Sequence, residues 1–132
     1  DAILASCCIP VIFKPVEIDE EQFVDGGITD NMPIIPLKER KVDYIIGLHC
    51  NQPGEGYKSK SWEELMLRSL HMSIASATYL QKDRVDLFLD PPAMAKYGVF
   101  DFKKAPEMYA LGYTYAQEFL EEVDLPKKGW FK

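Results

Sequence analysis

The chain has 132 residues, of which 47% are hydrophobic and 27% charged. That composition points to folded rather than disordered sequence. A formal net charge of −6 argues against nucleic acid as a partner, because phosphate binding needs a basic face. No apolar run approaches the roughly 20 residues that a membrane-spanning helix requires.

The chain opens Asp1-Ala2-Ile3-Leu4, with no initiator Met and no basic leader, and reads as the middle of a longer protein. Asp1 to about Cys8 is small and apolar, the end of a helix stopped by Pro10. Val11-Ile12-Phe13 and Val16-Glu17-Ile18 are short β-type runs around Pro15. Asp19-Glu20-Glu21 is a polar turn and Gln22-Phe23-Val24 a further strand, which predicts a hairpin. Asp25-Gly26-Gly27 breaks it.

Asn31-Met32-Pro33 begins a segment leading to Leu37. Val42 to Leu48 is apolar apart from Asp43, the pattern of a strand buried on both faces in a parallel sheet. Residues 51–60 form a loop. Ser61 and Glu64 make a capping box for a long helix reaching about Asp83. Leu65, Met72 and Tyr79 recur every seven residues on one face of it. Met66, Leu67, Leu70, Ile74 and Leu80 widen the apolar arc, as for a helix contacted on more than one side. Arg84 to Leu89 is another strand candidate, stopped by Asp90-Pro91-Pro92. Pro106 opens a second helix, with Met108, Leu111, Tyr115 and Phe119 on one stripe.

Strands alternate with helices, so the class is α/β, with a mainly parallel sheet and flanking helices. Few strands and two long helices cannot cover one another well, which predicts further sheet outside the chain.

Cys7, Cys8 and Cys50 do not form a fully paired framework and read as buried free thiols. That leans toward a reducing, cytoplasmic compartment, with a peripheral membrane location as the alternative. With no Cys-x-x-Cys and two histidines, no zinc site is expected. His49 and Cys50 are neighbours in a strand and point to opposite faces, so ordinary packing is the better reading for both. His71 lies in a helix and reads as a satisfied histidine. Tyr57, Trp62 and Trp130-Phe131 with nearby lysines suit a lipid interface, but packing against further chain is the better reading.

Asp25 ends an apolar strand, a usual place to present a functional side chain in an α/β sheet. Two glycines follow, which allow positive φ and close backbone approach. A carboxylate held there can accept a proton. Asp-Gly is also a common turn dipeptide, so these residues alone leave the plain turn open. Asp30 and Asn31 read as braces for the loop, through side-chain to backbone bonds.

The longer stretch is more specific. Ala5-Ser6, Pro10, Phe13, Pro15-Val16, Val24-Asp25-Gly26-Gly27, Asn31 and Pro33 together resemble the patatin-like phospholipase family. There an Ala-Ser segment, a Pro/Phe segment and a strand ending in Asp-Gly-Gly or Asp-Gly-Ala precede Asn-x-Pro. Tyr44-Ile45-Ile46-Gly47-Leu48 and the stretch from Phe100-Asp101-Phe102 to Gly112-Tyr113 also fit. The resemblance implies that residues 1–132 are the C-terminal portion of a single patatin-like domain. Its fold would be a partial three-layer α/β arrangement whose N-terminal half lies upstream.

The resemblance also implies a Ser–Asp dyad cleaving acyl esters of lipids, with no metal or cofactor. Asp25 matches the catalytic aspartate, supported by Gly26, Gly27 and Asn31. The serine would attack the ester carbonyl, and Asp25 would take its proton directly. The departure is the nucleophile: the family's Gly-x-Ser-x-Gly is absent, and none of Ser6, Ser59, Ser61, Ser69, Ser73 and Ser76 lies in that frame. Ser6 lacks the elbow geometry and reads as a small packing residue. The glycine-rich oxyanion segment is absent too. The chain alone is therefore expected to be inactive, needing the N-terminal half of the domain or a partner chain. The alternative is a non-catalytic binding or scaffold protein of the same fold.

Overall fold

A computed structural model describes residues 1–56, 58–98 and 100–125. The elements run α1 (Ala2–Ala5), β1 (Val16–Ile18), β2 (Glu21–Phe23), α2 (Gly27–Asp30), α3 (Ile35–Glu39), β3 (Ile46–Leu48), α4 (Trp62–Gln81), β4 (Leu87–Leu89) and α5 (Ala105–Glu121). Short 3-10 turns at Lys82–Arg84, Pro92–Lys96 and Phe102–Lys104 join the later elements.

The predicted hairpin forms. β1 and β2 pair antiparallel with Val16 opposite Phe23 and Ile18 opposite Glu21. The two linking residues, Asp19 and Glu20, have φ of 50° and 66°, as a type I′ turn demands for its twist to match the strands. Val11 to Phe13 is not a strand. It is a turn in which Val11 takes a φ of 76°, costly for a β-branched residue. Ile12 and Phe13 both donate backbone N–H to Ile9 O, so the run closes on itself instead of pairing.

β3 and β4 pair in parallel, with Gly47 opposite Phe88. The strand predicted over Val42 to Leu48 shrinks to its last three residues. Of these only Gly47 is buried; Ile46 and Leu48 are exposed. Burial on both faces is thus not met, because one neighbouring strand and one covering layer cannot enclose a pleated surface that presents side chains both ways.

α4 begins where the cap predicts. Ser61 Oγ accepts the Glu64 N–H at 3.2 Å. The returning bond differs from a capping box, since Glu64 Oε2 accepts from Lys60 N at 2.7 Å instead of from Ser61. The apolar arc of α4 is covered on one side only. Ala75 and Thr78 are buried, while Leu65, Met66, Met72 and Leu80 stay exposed. Trp62 is exposed on the first turn. Tyr57 and Trp130-Phe131 lie outside the described residues. Among the cysteines, Cys8 is buried and Cys7 and Cys50 are exposed, so the expectation of buried thiols holds for one of three.

The buried apolar set is small: Ala5, Cys8, Ile34, Ile45, Ala75, Leu87, Leu89 and Met94. The accessible surface is 10337 Å², against roughly 7,000 Å² for a compact protein of this mass. Much apolar surface therefore stays uncovered. No helix among the described residues is long and apolar enough to cross a membrane.

Candidate active site

Asp25 lies just past β2 and is half-buried. Its backbone N–H donates to Cys8 O at 3.0 Å, which ties the segment to the turn after α1. Gly27 opens α2 and donates its N–H to Asp25 Oδ1 at 2.8 Å. Asp25 Oδ2 has no hydrogen-bond partner among the described residues.

The two glycines differ from the expectation. Neither takes a positive φ; Gly26 sits at −68°. What restricts position 27 is space. A Cβ there would stand 2.9 Å from Asn31 Oδ1 and 3.1 Å from Asp25 Oδ1, whereas one on Gly26 would meet nothing within 4 Å.

Asn31 and Asp30 anchor this segment, though not through backbone groups. Asn31 Nδ2 donates to Thr78 Oγ1 at 3.2 Å, and Gln81 Nε2 donates to Asp30 Oδ1 at 3.2 Å. Both partners belong to α4. The buried polar face of that helix offers side-chain acceptors and donors where sequence reasoning expected local backbone bonds.

A cavity of about 140 Å³ opens beside Asp25. Ile9, Pro10 and Ile12, then Leu67, Leu70, Ile74 and Ala75 of α4, and Phe100 line it. Its polar wall is Asp25, Asn31, Asn51, His49 and His71. His71 Nε2 lies 2.6 Å from Asn51 O; because a carbonyl only accepts, that nitrogen donates. Ser6 is exposed, and its hydroxyl bonds Ile3 O at 3.3 Å; it does not line the cavity.

Sequence reasoning missed the pairing of His49 with Asp90. The parallel register that sets Leu48 opposite Leu89 carries the next residues, His49 and Asp90, to the same sheet end, and His49 N donates to Leu89 O at 2.9 Å. His49 Nδ1 lies 3.0 Å from Asp90 Oδ1. Tyr79 Oη and Gln52 Nε2 donate to Asp90 Oδ2 at 2.7 and 2.8 Å. Burial and the bond to Asp90 push the Tyr79 phenol up to about 12. Partial desolvation of its sulfur, then the Asp90 charge, also raises the thiol of Cys50, a residue exposed overall. The missed signal was a titratable residue directly after each of two parallel strands.

Among the described residues no group of three or more His, Cys, Asp and Glu side chains is placed to hold a metal ion.

Residues 1–38 match the family model described as Patatin-like phospholipase. Over most of its length the chain is similar to Lysophospholipase NTE1 of Meyerozyma guilliermondii, 23% identical over 141 residues, covering 88% of this chain and 10% of that protein. The protein of the same name from Chaetomium globosum is 25% identical over 146 residues, covering 92% of the chain and 10% of its own length. That from Candida albicans is 23% identical over 154 residues, covering 98% and 11%. The chain thus spans about a tenth of the length of these curated relatives.

Proposed function

From the premise that these matches support a patatin-like phospholipase family and a lipid hydrolase function, we propose that this chain supplies the base of a serine acyl hydrolase. Asp25 is that base. The observation that carries the reading is the state of its carboxylate: one oxygen held by Gly27 N–H, the other free, beside a mostly apolar cavity. Gly27 fixes the orientation, and Asn31 pins α2 to α4. The cavity walls suit an acyl chain.

The serine comes from outside residues 1–132, from the same domain upstream or from a partner chain. In the acylation step the serine oxygen forms a bond to the ester carbonyl carbon and its proton passes to Asp25 Oδ2. The ester C–O bond breaks, and the leaving alcohol takes that proton. In the second step water gives a proton to Asp25, its oxygen attacks the acyl-enzyme, and the serine leaves reprotonated. The uncovered apolar faces of β3 and α4 support the reading that further sheet packs there. Lipid esters are the substrate class, and peripheral membrane contact is the route by which such a substrate arrives.

The test is ester turnover in the full-length protein with a p-nitrophenyl acyl ester, wild type against Asp25→Asn, with the 132-residue chain alongside. A folded Asp25→Asn protein should lose at least about 100-fold in kcat, the scale of a removed general base. The short chain should be inert. Full activity in Asp25→Asn would reduce Asp25 to a turn residue. A full-length protein inert with every ester but able to bind lipid would favour a non-catalytic binding or scaffold protein of the same fold.

A further inference from the structure

His49 is 3% exposed and lines the same cavity as Asp25. Three of its sides are accounted for. Nδ1 meets Asp90 at 3.0 Å, the Tyr79 ring stands edge-on at 5.2 Å, and the Phe88 ring stacks at 6.4 Å with planes 15° apart. The remaining edge carries Nε2, which is buried and has no hydrogen-bond partner. A buried polar atom left unpaired costs about 1–3 kcal/mol. Because His49 lines the cavity, a ligand that displaces the packing over this atom can supply the missing partner.

Its chemical character follows from Asp90. A carboxylate only accepts, so the neutral imidazole keeps its proton on Nδ1 and presents a lone pair at Nε2. Tyr79 and Gln52 both donate to the other Asp90 oxygen, which fixes the carboxylate and through it the ring. A fixed acceptor in a mostly apolar cavity calls for a hydrogen-bond donor, and in an acyl ester or a water that donor is an O–H group.

We propose that His49 is a ligand-contacting residue of the Asp25 cavity, its Nε2 accepting a hydrogen bond from an O–H group of the bound molecule. Asp90 is a positioning residue that sets tautomer and ring angle. The inference rests on the acyl-hydrolase reading of Asp25 and adds the group recognised beside it. Two sources share that chemistry: a free hydroxyl on the glycerol of a monoacyl ester, or the water that resolves the acyl-enzyme.

The experiment compares two substrates of one acyl chain in the full-length protein: a monoacylglycerol, which carries free hydroxyls, and its p-nitrophenyl ester, which has none. The first variant is His49→Asn, whose amide can still donate to Asp90 but has no atom at the Nε2 position. The second is His49→Gln, whose longer amide reaches toward the Nε2 position. If the substrate hydroxyl is the partner, His49→Asn loses at least about tenfold in kcat/KM on monoacylglycerol alone. If water is the partner, both substrates slow, and the p-nitrophenyl ester gives a burst of p-nitrophenol as acyl-enzyme accumulates. In either case His49→Gln regains part of the loss. A folded His49→Asn protein with both substrates at wild-type rates and no burst overturns the proposal. So does an equal loss in His49→Asn and His49→Gln, which marks His49 as packing only. Asp25→Asn in the same assay separates the two readings: if it stays active, the Asp25 assignment fails whatever His49 does.

Discussion

Gly27 gives its backbone N–H to Asp25 Oδ1 at 2.8 Å, and a Cβ added to Gly27 would press on that same oxygen at 3.1 Å. One residue thus holds the carboxylate and leaves no room for a side chain of its own. Gly27→Ala should push Asp25 and Asn31 apart by a few tenths of an ångström. If Asp25 is the base proposed above, a shift of that size costs about tenfold in kcat. Gly26→Ala is the matched control. Gly26 has an ordinary φ of −68° and open space around its Cβ position, so alanine there should leave turnover unchanged and add about 0.4–1 kcal/mol of stability. Equal kcat in the two variants would show that the crowding at position 27 has no bearing on Asp25.

Asn31 tests the anchoring of the same segment. Its bond to Thr78 joins α2 to α4, and Thr78 Oγ1 also donates to Ile74 O at 3.0 Å. Asn31→Ala removes about 1 kcal/mol, enough for roughly fivefold faster local opening. Hydrogen exchange of the amides over residues 25–34 reads this directly. Exchange rates there matching wild type would mean that the bond to Thr78 holds nothing in place.

The hairpin and the start of α4 were legible because each rests on local chemistry: Asp19-Glu20 forms a tight turn and Ser61 caps a helix. The strand expected to be apolar before Asp25 is Glu21–Phe23, exposed along its length. The run Val11 to Phe13 was misread because Ile9 O captures two following N–H groups, a contact that strand propensity does not weigh. The positive φ that glycines permit is not used at either position; Gly27 is instead confined by neighbours at i−2 and i+4. The His49 and Asp90 pair was hidden because it depends on the register of two strands about 40 residues apart in sequence, which no single window contains.

Asp90 should control the reactivity of Cys50. Partial desolvation raises the thiol of the otherwise exposed Cys50 first and the Asp90 charge adds to it, so fewer thiolates form at a given pH. Asp90→Asn removes the charge and leaves the desolvation. Alkylation of Cys50 by iodoacetamide at mildly alkaline pH should therefore accelerate in that variant, while Cys7, exposed and remote in sequence, reacts as before. The Tyr79 phenol should also fall from about 12, visible as earlier ultraviolet titration. A Cys50 rate indifferent to Asp90→Asn would sever the electrostatic link between the two.

Asp101 supplies a pH dependence of known sign. Its Oδ2 accepts the Gly98 N–H at 3.0 Å and Lys104 Nζ at 3.3 Å. The backbone bond first, then Lys104, hold its carboxyl below the ordinary 3.8. A carboxyl lowered on folding stabilises the folded form above its unfolded value. That contribution disappears as pH falls through the lower folded value. Asp101 is exposed, so the effect is small and salt weakens it. The carboxyl carbon of Asp101, followed by nuclear magnetic resonance, should titrate below 3.8. Lys104→Gln should move it part of the way back up while the Gly98 bond remains. Because Asp101 immediately precedes the turn Phe102–Lys104 that leads into α5, Asp101→Asn should leave the helix start less sensitive to acid. A titration at or above 3.8 in the wild-type chain would show that neither bond favours the ionised form.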